Sequence, residues 1–399
     1  MIGIKDNSCP KYGEQEWADS LPTLGGLCGL FFELMRVSIG AQGTLSRLPS
    51  EQPEWKELYE MAVKQSLVGV CFAGIQYLGA DSDDGFSKIG MSEDLYFDWM
   101  GAVAQLQLRN DVVNERCAAL QKRLAADGLR SCVLKGQGVA ALYGEELRGF
   151  RQSGDIDLWI DASREKVIDY VMGLAPTKEF DQKHIHFHCY KETEVECHWI
   201  PVKRNNPFHD KILEDYFNGE RERQFSNMID GLCVPTADFQ LVHQLLHVYS
   251  HYMYEGVGLR QMMDLYFAQR AVRNNANDDD NDNLVRVLDL FKRLGLMKFV
   301  GATQWVLQKV FGMTEDVLLS EPDEKEGRKF LDEIMIGGNF GHHDVRNQVV
   351  GESFVRRFLR RWGRKFRMFR FDPLGTLLMP LSRLKLEFWM RSVRRKYNV

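Results

Sequence analysis

Eight cysteines are spread along the 399 residues with no Cys-x-x-Cys pair and no framework spacing, which argues against a zinc ribbon and against a disulfide scaffold. Cys28, Cys71, Cys117, Cys132, Cys189 and Cys197 sit among apolar residues, as small buried side chains do. A reducing cytoplasm is the compartment they predict. Met1 to Asp19 lacks a sustained apolar core, so no secretory signal is expected, and no run is long enough to span a bilayer. Strong net charge is also missing, but the value of −5 hides an asymmetry. Residues 351–399 carry fourteen Lys/Arg against three Asp/Glu, which leaves the rest correspondingly acidic. Separation of this kind predicts different partners for the two portions.

A chain of this length buries a sizeable core and is expected to divide into two or three domains. Up to about residue 128 the pattern is helical. Leu27, Leu30, Phe31, Leu34 and Met35 recur at helical spacing, an amphipathic segment runs from Glu54 through Leu78, and Tyr96 to Asp127 reads as a long helix carrying Val103, Leu106, Leu108, Val112 and Val113 before Gly128. From 129 to 205 the pattern alternates strand, turn-helix, strand, helix (Arg164 to Leu174) and paired strands, an α/β unit with a mixed sheet. Helices return over 206–350, among them Ala237 to Tyr254 and one around Leu259, while the polar, acidic stretch Asn274 to Asn283 reads as a loop. That stretch lacks the turn glycine and closing glutamate of a calcium loop. The fold class predicted is α/β (α+β), a mixed-sheet core flanked by N-terminal and C-terminal helical regions, with a basic segment at 351–399.

The most specific local pattern is Arg151-Gln152-Ser153-Gly154-Asp155-Ile156-Asp157-Leu158-Trp159-Ile160. Period-2 alternation puts Asp155 and Asp157 on one face and Ile156, Leu158 and Ile160 on the other. Two carboxylates about 6 Å apart repel by about 3 kcal/mol at an effective dielectric near 20, a cost that a hard divalent cation reverses. An edge strand with a wet face is the plain alternative. On the first account, Asp155→Asn or Asp157→Asn removes activity while the melting temperature holds or rises. Upstream, Ser131 to Gly138 reads as a short buried strand ending in a glycine turn, where backbone N–H groups of Gly136 and Gln137 approach a phosphate and Lys135 adds a charge. Downstream, Gln182 to Tyr190 and Val195 to Ile200 read as paired strands, which brings in Glu196 as a third carboxylate.

These pieces, Leu134-Lys135-Gly136, Arg151-x-Ser-Gly-Asp155-x-Asp157-Leu158 and Glu196-x-His198-Trp199, resemble the nucleotidyltransferase superfamily related to DNA polymerase beta, specifically its bacterial branch of uncharacterised nucleotidyltransferases. One departure stands out. The superfamily carries Gly-Ser or Gly-Gly about a dozen residues before the first aspartate, whereas here the turn is Lys-Gly-Gln and lies farther away. The resemblance implies two-metal transfer of a nucleoside monophosphate from a nucleoside triphosphate (NTP) to a hydroxyl acceptor, with Mg²⁺ or Mn²⁺ on Asp155, Asp157 and Glu196. Glu196 is also a candidate to take the acceptor proton. Lys135, Gly136, Gln137, Arg151, Ser153, Gly154 and His198 would contact the nucleotide, with Lys135 and the planar fork of Arg151 on phosphate oxygens. The acceptor is open among small molecule, protein and RNA. Two readings from other classes stand beside it: a catalytically inactive nucleotide-binding regulatory module, and a membrane-surface scaffold.

Histidines form two further patterns. His184, His186 and His188 share a strand face with His198 on the partner strand, which suits cleft lining or a zinc cluster. His243, His247 and His251 recur at i, i+4, i+8, but Gln244 stands where a metalloprotease has its glutamate. Finally, arginines interleave with aromatics from Arg356 to Phe371 and more cations follow at Arg391, Arg394, Arg395 and Lys396. An anionic partner for residues 352–399, nucleic acid or lipid, is one expectation; a helix docked by its aromatic stripe is the other.

Overall fold

The computed structural model describes residues 26–49, 52–80, 85–274, 278–341, 369 and 371–399. Helices α1 (Gly26–Ser38), α2 (Gln52–Gln65) and α3 (Val68–Ile75) come first. The apolar run from Glu54 to Leu78 is thus two helices and not one, because Ser66 takes φ +56° between them and no helix continues through a left-handed residue. Next, Ser92 Oγ accepts from the Leu95 N–H and starts the 34-residue helix α4 (Glu93–Ala126), which stops before Gly128 at φ +74°. Its inward face reads Tyr96, Trp99, Val103, Asn110, Val113, Cys117, Leu120 and Leu124. Leu108 and Val112, apolar by sequence, are 67% and 41% exposed and lie off that face.

The sheet follows. Strand β1 (Ser131–Val133) leads through the short helix α5 (Gln137–Ala140) to β2 (Ile156–Ile160), helix α6 (Arg164–Leu174), β3 (His184–His186) and β4 (Val195–His198). Spatial order is β1-β2-β4-β3, with β2 and β4 parallel and the outer pairs antiparallel. A parallel pair cannot be closed by a hairpin, and α6 with β3 makes the crossover. Every residue of β2 is buried, so the Asp-x-Asp strand is central; the wet-edge alternative does not apply.

Alternation then sorts the two faces. Ile156, Leu158, Ile160, Ile185, Val195 and Cys197 pack with Val167, Val171 and the C-terminal half of α4 in one core. The opposite face carries Asp157, Trp159, Glu196 and His198. Helices α7 (Pro207–Phe225), α8 (Ala237–Tyr254) and α9 (Leu259–Asn274) cover it, α7 and α8 being joined through a small hairpin of β5 (Met228–Ile229) and β6 (Leu232–Cys233). Trp159 stacks on Phe239 of α8 at 5.5 Å and meets Phe217 and Phe225 of α7. This second core also takes in α1 to α3, the start of α4, and helices α10 (Asp278–Arg293), α11 (Met297–Phe311) and α12 (Glu324–Gly337). Helix α10 corrects the loop expected over Asn274 to Asn283: all but residues 275–277, which lie outside the described set, are helical, and an acidic run suits a helix N-terminus.

Helix α13 (Pro373–Tyr397) is capped by Asp372, which accepts from Gly375 N–H at 2.8 Å and pairs with the buried Arg204 at 3.2 Å. Trp389 sets its edge against Phe180 and Trp199 and docks the helix on the sheet core. Its outer side exposes Leu377, Leu381, Leu384 and Phe388. Of the Arg356 to Phe371 segment only Phe369 and Phe371 are described; Phe371 packs against Tyr252 and Phe299, and the arginines lie outside the described residues. Among the described residues no helix is long and apolar enough to cross a membrane.

Candidate active site

Asp155 lies just before β2 and is half-buried, whereas Asp157 is fully buried inside it. Parallel pairing sets Asp157 directly beside Glu196, and Trp159 beside His198. Three strands therefore deliver the site: β1 leads into Lys135, β2 carries Asp157 with Asp155 at its entrance, and β4 carries Glu196 and His198. Lys135 Nζ sits 2.6 Å from Asp157 Oδ1, and His198 Nε2 lies 3.0 Å from the same oxygen and 3.1 Å from Glu196 Oε2. Asp157 Oδ2 is buried with no hydrogen-bond partner.

These contacts fix the charges. Burial alone would raise the Asp157 and Glu196 carboxyls; for Asp157 the Lys135 ammonium, and for Glu196 the His198 hydrogen bond followed by Lys135, bring them below the ordinary carboxylate range. Burial would lower Lys135 and His198, and the carboxylates around them raise both instead. The mutual repulsion foreseen for an isolated aspartate pair is thus offset by the Lys135 charge set beside both.

The remaining candidates divide. Gly136, at φ +55°, brings its turn over the Asp155 carbonyl, 3.4 Å from where a Cβ would stand. Gly154 faces open space and Ser153 Oγ is buried without a partner, so that segment borders the carboxylates. Gln137 turns away, its amide donating to Asn114 Oδ1 at 2.5 Å on α4. Arg151 is committed elsewhere as well: Nε and Nη2 grip Asp264 of α9 at 2.7 and 2.8 Å, both residues being buried. A guanidinium in a two-pronged buried pair has no fork left for phosphate, and its role is to hold the lead into β2. Asn110 of α4 donates to the carbonyls of Gly149 and Arg151, Arg260 of α9 donates to that of Gln152, and Tyr143 donates to Asp264. Sequence reasoning missed Asn110, Arg260 and Asp264. Arg260 and Asp264 share a helix face at i, i+4, but a partner 113 residues distant leaves no mark in one sequence.

His243 of α8 is buried and feels the charges of Lys135, Asp157 and His198, so the helical region folds back over the sheet. Its ring stacks at 6.2 Å on His247, which meets His251 at 4.2 Å. Burial, with Lys135 next, pushes His243 down to about 3, and burial with His251 pushes His247 well below the usual value. Both are neutral in the fold. Their stabilisation is complete above the unfolded value of about 6.5 and is lost as pH falls toward the folded value, by up to about 1.4 kcal/mol per pH unit for each. His198, raised in the fold, works with the opposite sign: its contribution is fully present below about pH 6.5 and is lost as pH rises through its folded value. Melting temperature is therefore expected to drop steeply between pH 6.5 and 4.5, before most unfolded carboxylates titrate, and His243→Gln is expected to flatten that slope. An unchanged slope in differential scanning fluorimetry would overturn the assignment.

The family described as uncharacterised nucleotidyltransferase matches residues 51–312, about two-thirds of the chain and the whole of this site. The chain belongs to that family. No curated protein and no solved structure matches it. The match starts at the N-terminal helices and runs to the end of α11, so the nucleotidyltransferase family includes the cover over the carboxylates as well as the sheet. A cavity of about 590 Å³ at the far end of the strands, lined by Trp159, Trp199, Pro201, Lys203 and Arg221 among others, contains none of the three carboxylates.

Proposed function

We propose that this chain transfers a nucleoside monophosphate from an NTP to a hydroxyl acceptor, with Asp155, Asp157 and Glu196 as ligands for Mg²⁺ or Mn²⁺. One observation carries the reading: Asp157 and Glu196 are direct neighbours on parallel strands, with Asp155 two residues away and one lysine cation set among all three. The donor set fits the ion, since carboxylate oxygens are what Mg²⁺ and Mn²⁺ prefer and Asp157 Oδ2 is buried without a partner. When bound, such a cation neutralises the triphosphate and lowers the proton affinity of the attacking hydroxyl. The protein's own groups do the rest. Lys135, set among the three carboxylates, supplies a cation for phosphate oxygens, and the turns at Gly136 and at Ser153-Gly154 offer backbone N–H groups. His198 ties Asp157 to Glu196 and fixes both carboxylates. With that hydrogen bond Glu196 has little proton affinity, so it acts by charge more than as a base.

In this reading the catalytic core spans 129–205 between helical regions 1–128 and 206–350, and the basic residues 351–399 meet an anionic partner. Cytoplasm is the compartment that supplies both NTP and reduced thiols, and all seven described cysteines are free. The acceptor is a hydroxyl of a small molecule, protein or RNA.

Calorimetric titration with ATP, GTP, CTP and UTP, with and without Mg²⁺ or Mn²⁺, tests the reading together with a pyrophosphate-release assay. Metal-dependent binding of at least one NTP and slow pyrophosphate release are expected. A second reading, an inactive nucleotide-binding module, is favoured by the ion pair through which Lys135 already neutralises Asp157; it gives binding and no pyrophosphate. Absence of any nucleotide response overturns both.

A further inference from the structure

Beside the three carboxylates lies a second group of donors with different chemistry. Strand alternation turns His184 and His186 of β3 to the same face, and antiparallel register sets His186 opposite Glu196 and His184 opposite His198. His184 Nδ1 is 3.2 Å from Glu196 Oε2 and His186 Nε2 is 3.9 Å from Glu196 Oε1. One donor atom from each of the three residues falls within 4.8 Å of the other two. Zinc bonds of 2.0–2.2 Å at tetrahedral angles put donors about 3.3–3.6 Å apart, so the His184–Glu196 edge is already in place and the edges to His186, within 4.8 Å, have to close onto the ion.

Two further observations point to a ligand here. His184 is more than nine-tenths buried, yet its Nδ1 has no hydrogen-bond partner and faces a carboxylate oxygen without bonding geometry. His186 presents its other nitrogen, Nδ1, to Glu179 Oε2 at 3.8 Å. At 3.8 Å this is an ion-pair approach and not yet a hydrogen bond; drawn in when a cation sits on Nε2, it would orient the ring as carboxylates orient metal-binding histidines. His186 and Glu196 keep 22% and 14% of their side-chain surface exposed, which gives an ion an entry path and leaves a position for water.

We propose that His184, His186 and Glu196 form a binding site for a zinc-class divalent cation, separate from the Asp155 and Asp157 oxygens and sharing Glu196 with them. Imidazole nitrogens select Zn²⁺ or Co²⁺ over Mg²⁺, which takes oxygen donors. Because Glu196 is common to both sets, a zinc-class ion withdraws a ligand from the Mg²⁺ position, and zinc acts as an antagonist of the magnesium-loaded state. The site stands whether or not the transfer reading holds, since its test is metal binding alone.

The experiment is titration of the metal-stripped full chain with Zn²⁺ by calorimetry and with Co²⁺ by visible absorption, without nucleotide. One equivalent is expected, bound at least about a hundredfold more tightly than Mg²⁺, with the intense ligand-field bands of a four-coordinate cobalt site. His186→Gln should weaken binding by about a hundredfold or more, and Glu179→Gln, which touches no donor, by about 10–100-fold. Asp155→Asn should leave it unchanged. Circular dichroism confirms folding, and Glu179→Gln provides a milder variant should His186→Gln fail to fold. Wild-type protein that takes up no Zn²⁺, or His186→Gln and Glu179→Gln that bind it like wild type, would overturn the site. NTP binding with Mg²⁺, measured separately, is untouched by either failure.

Discussion

Asp264→Ala is expected to lower stability by about 3–5 kcal/mol, the cost of leaving one partner of a buried ion pair unmatched, and Tm by roughly 5–10 °C. Arg151 and Asp264 are each about 4% exposed and joined by two hydrogen bonds. Burial works against the Arg151 charge and Asp264 more than offsets it; because a guanidinium does not deprotonate in proteins, deleting Asp264 leaves a buried cation without its main compensating charge. Tyr143 loses its acceptor in the same step, which adds about 1 kcal/mol. The double variant Arg151→Met with Asp264→Leu, which removes both charges and keeps apolar volume, is expected to recover most of the loss. Thermal melts of the three proteins check the claim. If the single variant melted within about 1 °C of wild type, the pair would not be holding the lead into β2.

Asp157→Asn carries the second large effect, on ligand affinity. Metal-dependent NTP binding should weaken by about 10²–10³-fold, the range for loss of one preorganised charge in a water-excluded site. The sequence pattern alone predicts that this variant melts at the wild-type temperature or higher, through relief of repulsion between two aspartates. The structure reverses that expectation. Asp157 is fully buried, accepts from Lys135 and His198, and holds a charge that those groups favour. Without it, Lys135 faces a neutral amide, and a loss of about 1–3 kcal/mol is expected. Lys135→Met added to Asp157→Asn should return part of that loss while NTP affinity stays low. Calorimetry and melting curves on the two variants separate the roles. A variant that melted higher than wild type would restore the repulsion account.

The aspartate strand and the helix from Arg164 to Leu174 are legible in sequence because each depends on local period and local breakers. So is the turn at Gly136. What a single sequence cannot carry is which strand lies next to which. Burial of Asp157 comes from β1 and β4 flanking β2 together with the helices that cover that face, and adjacency of Asp157 to Glu196 comes from a parallel register set by a crossover. Arg151 shows the same limit from the other side. Its residue type suits phosphate, and only the position of Asp264 on α9 reveals that the guanidinium is occupied. Leu108 and Val112 lie within the apolar pattern of α4 and end up facing water, since the face buried at that level is the one carrying Asn110 and Val113.

That helix also limits how the chain can be cut. At 1.5 Å per residue it is about 51 Å long, and its apolar stripe is divided. Tyr96, Trp99 and Val103 belong to the large core, while Val113, Cys117, Leu120 and Leu124 belong to the core behind the sheet. A fragment beginning at residue 129 would leave Val133, Ile156 and Leu158 without their cover, and one ending at 128 would expose the other half of the stripe. The four-stranded sheet is not a portable cassette. One rod serves both cores, so neither core closes without the whole of it.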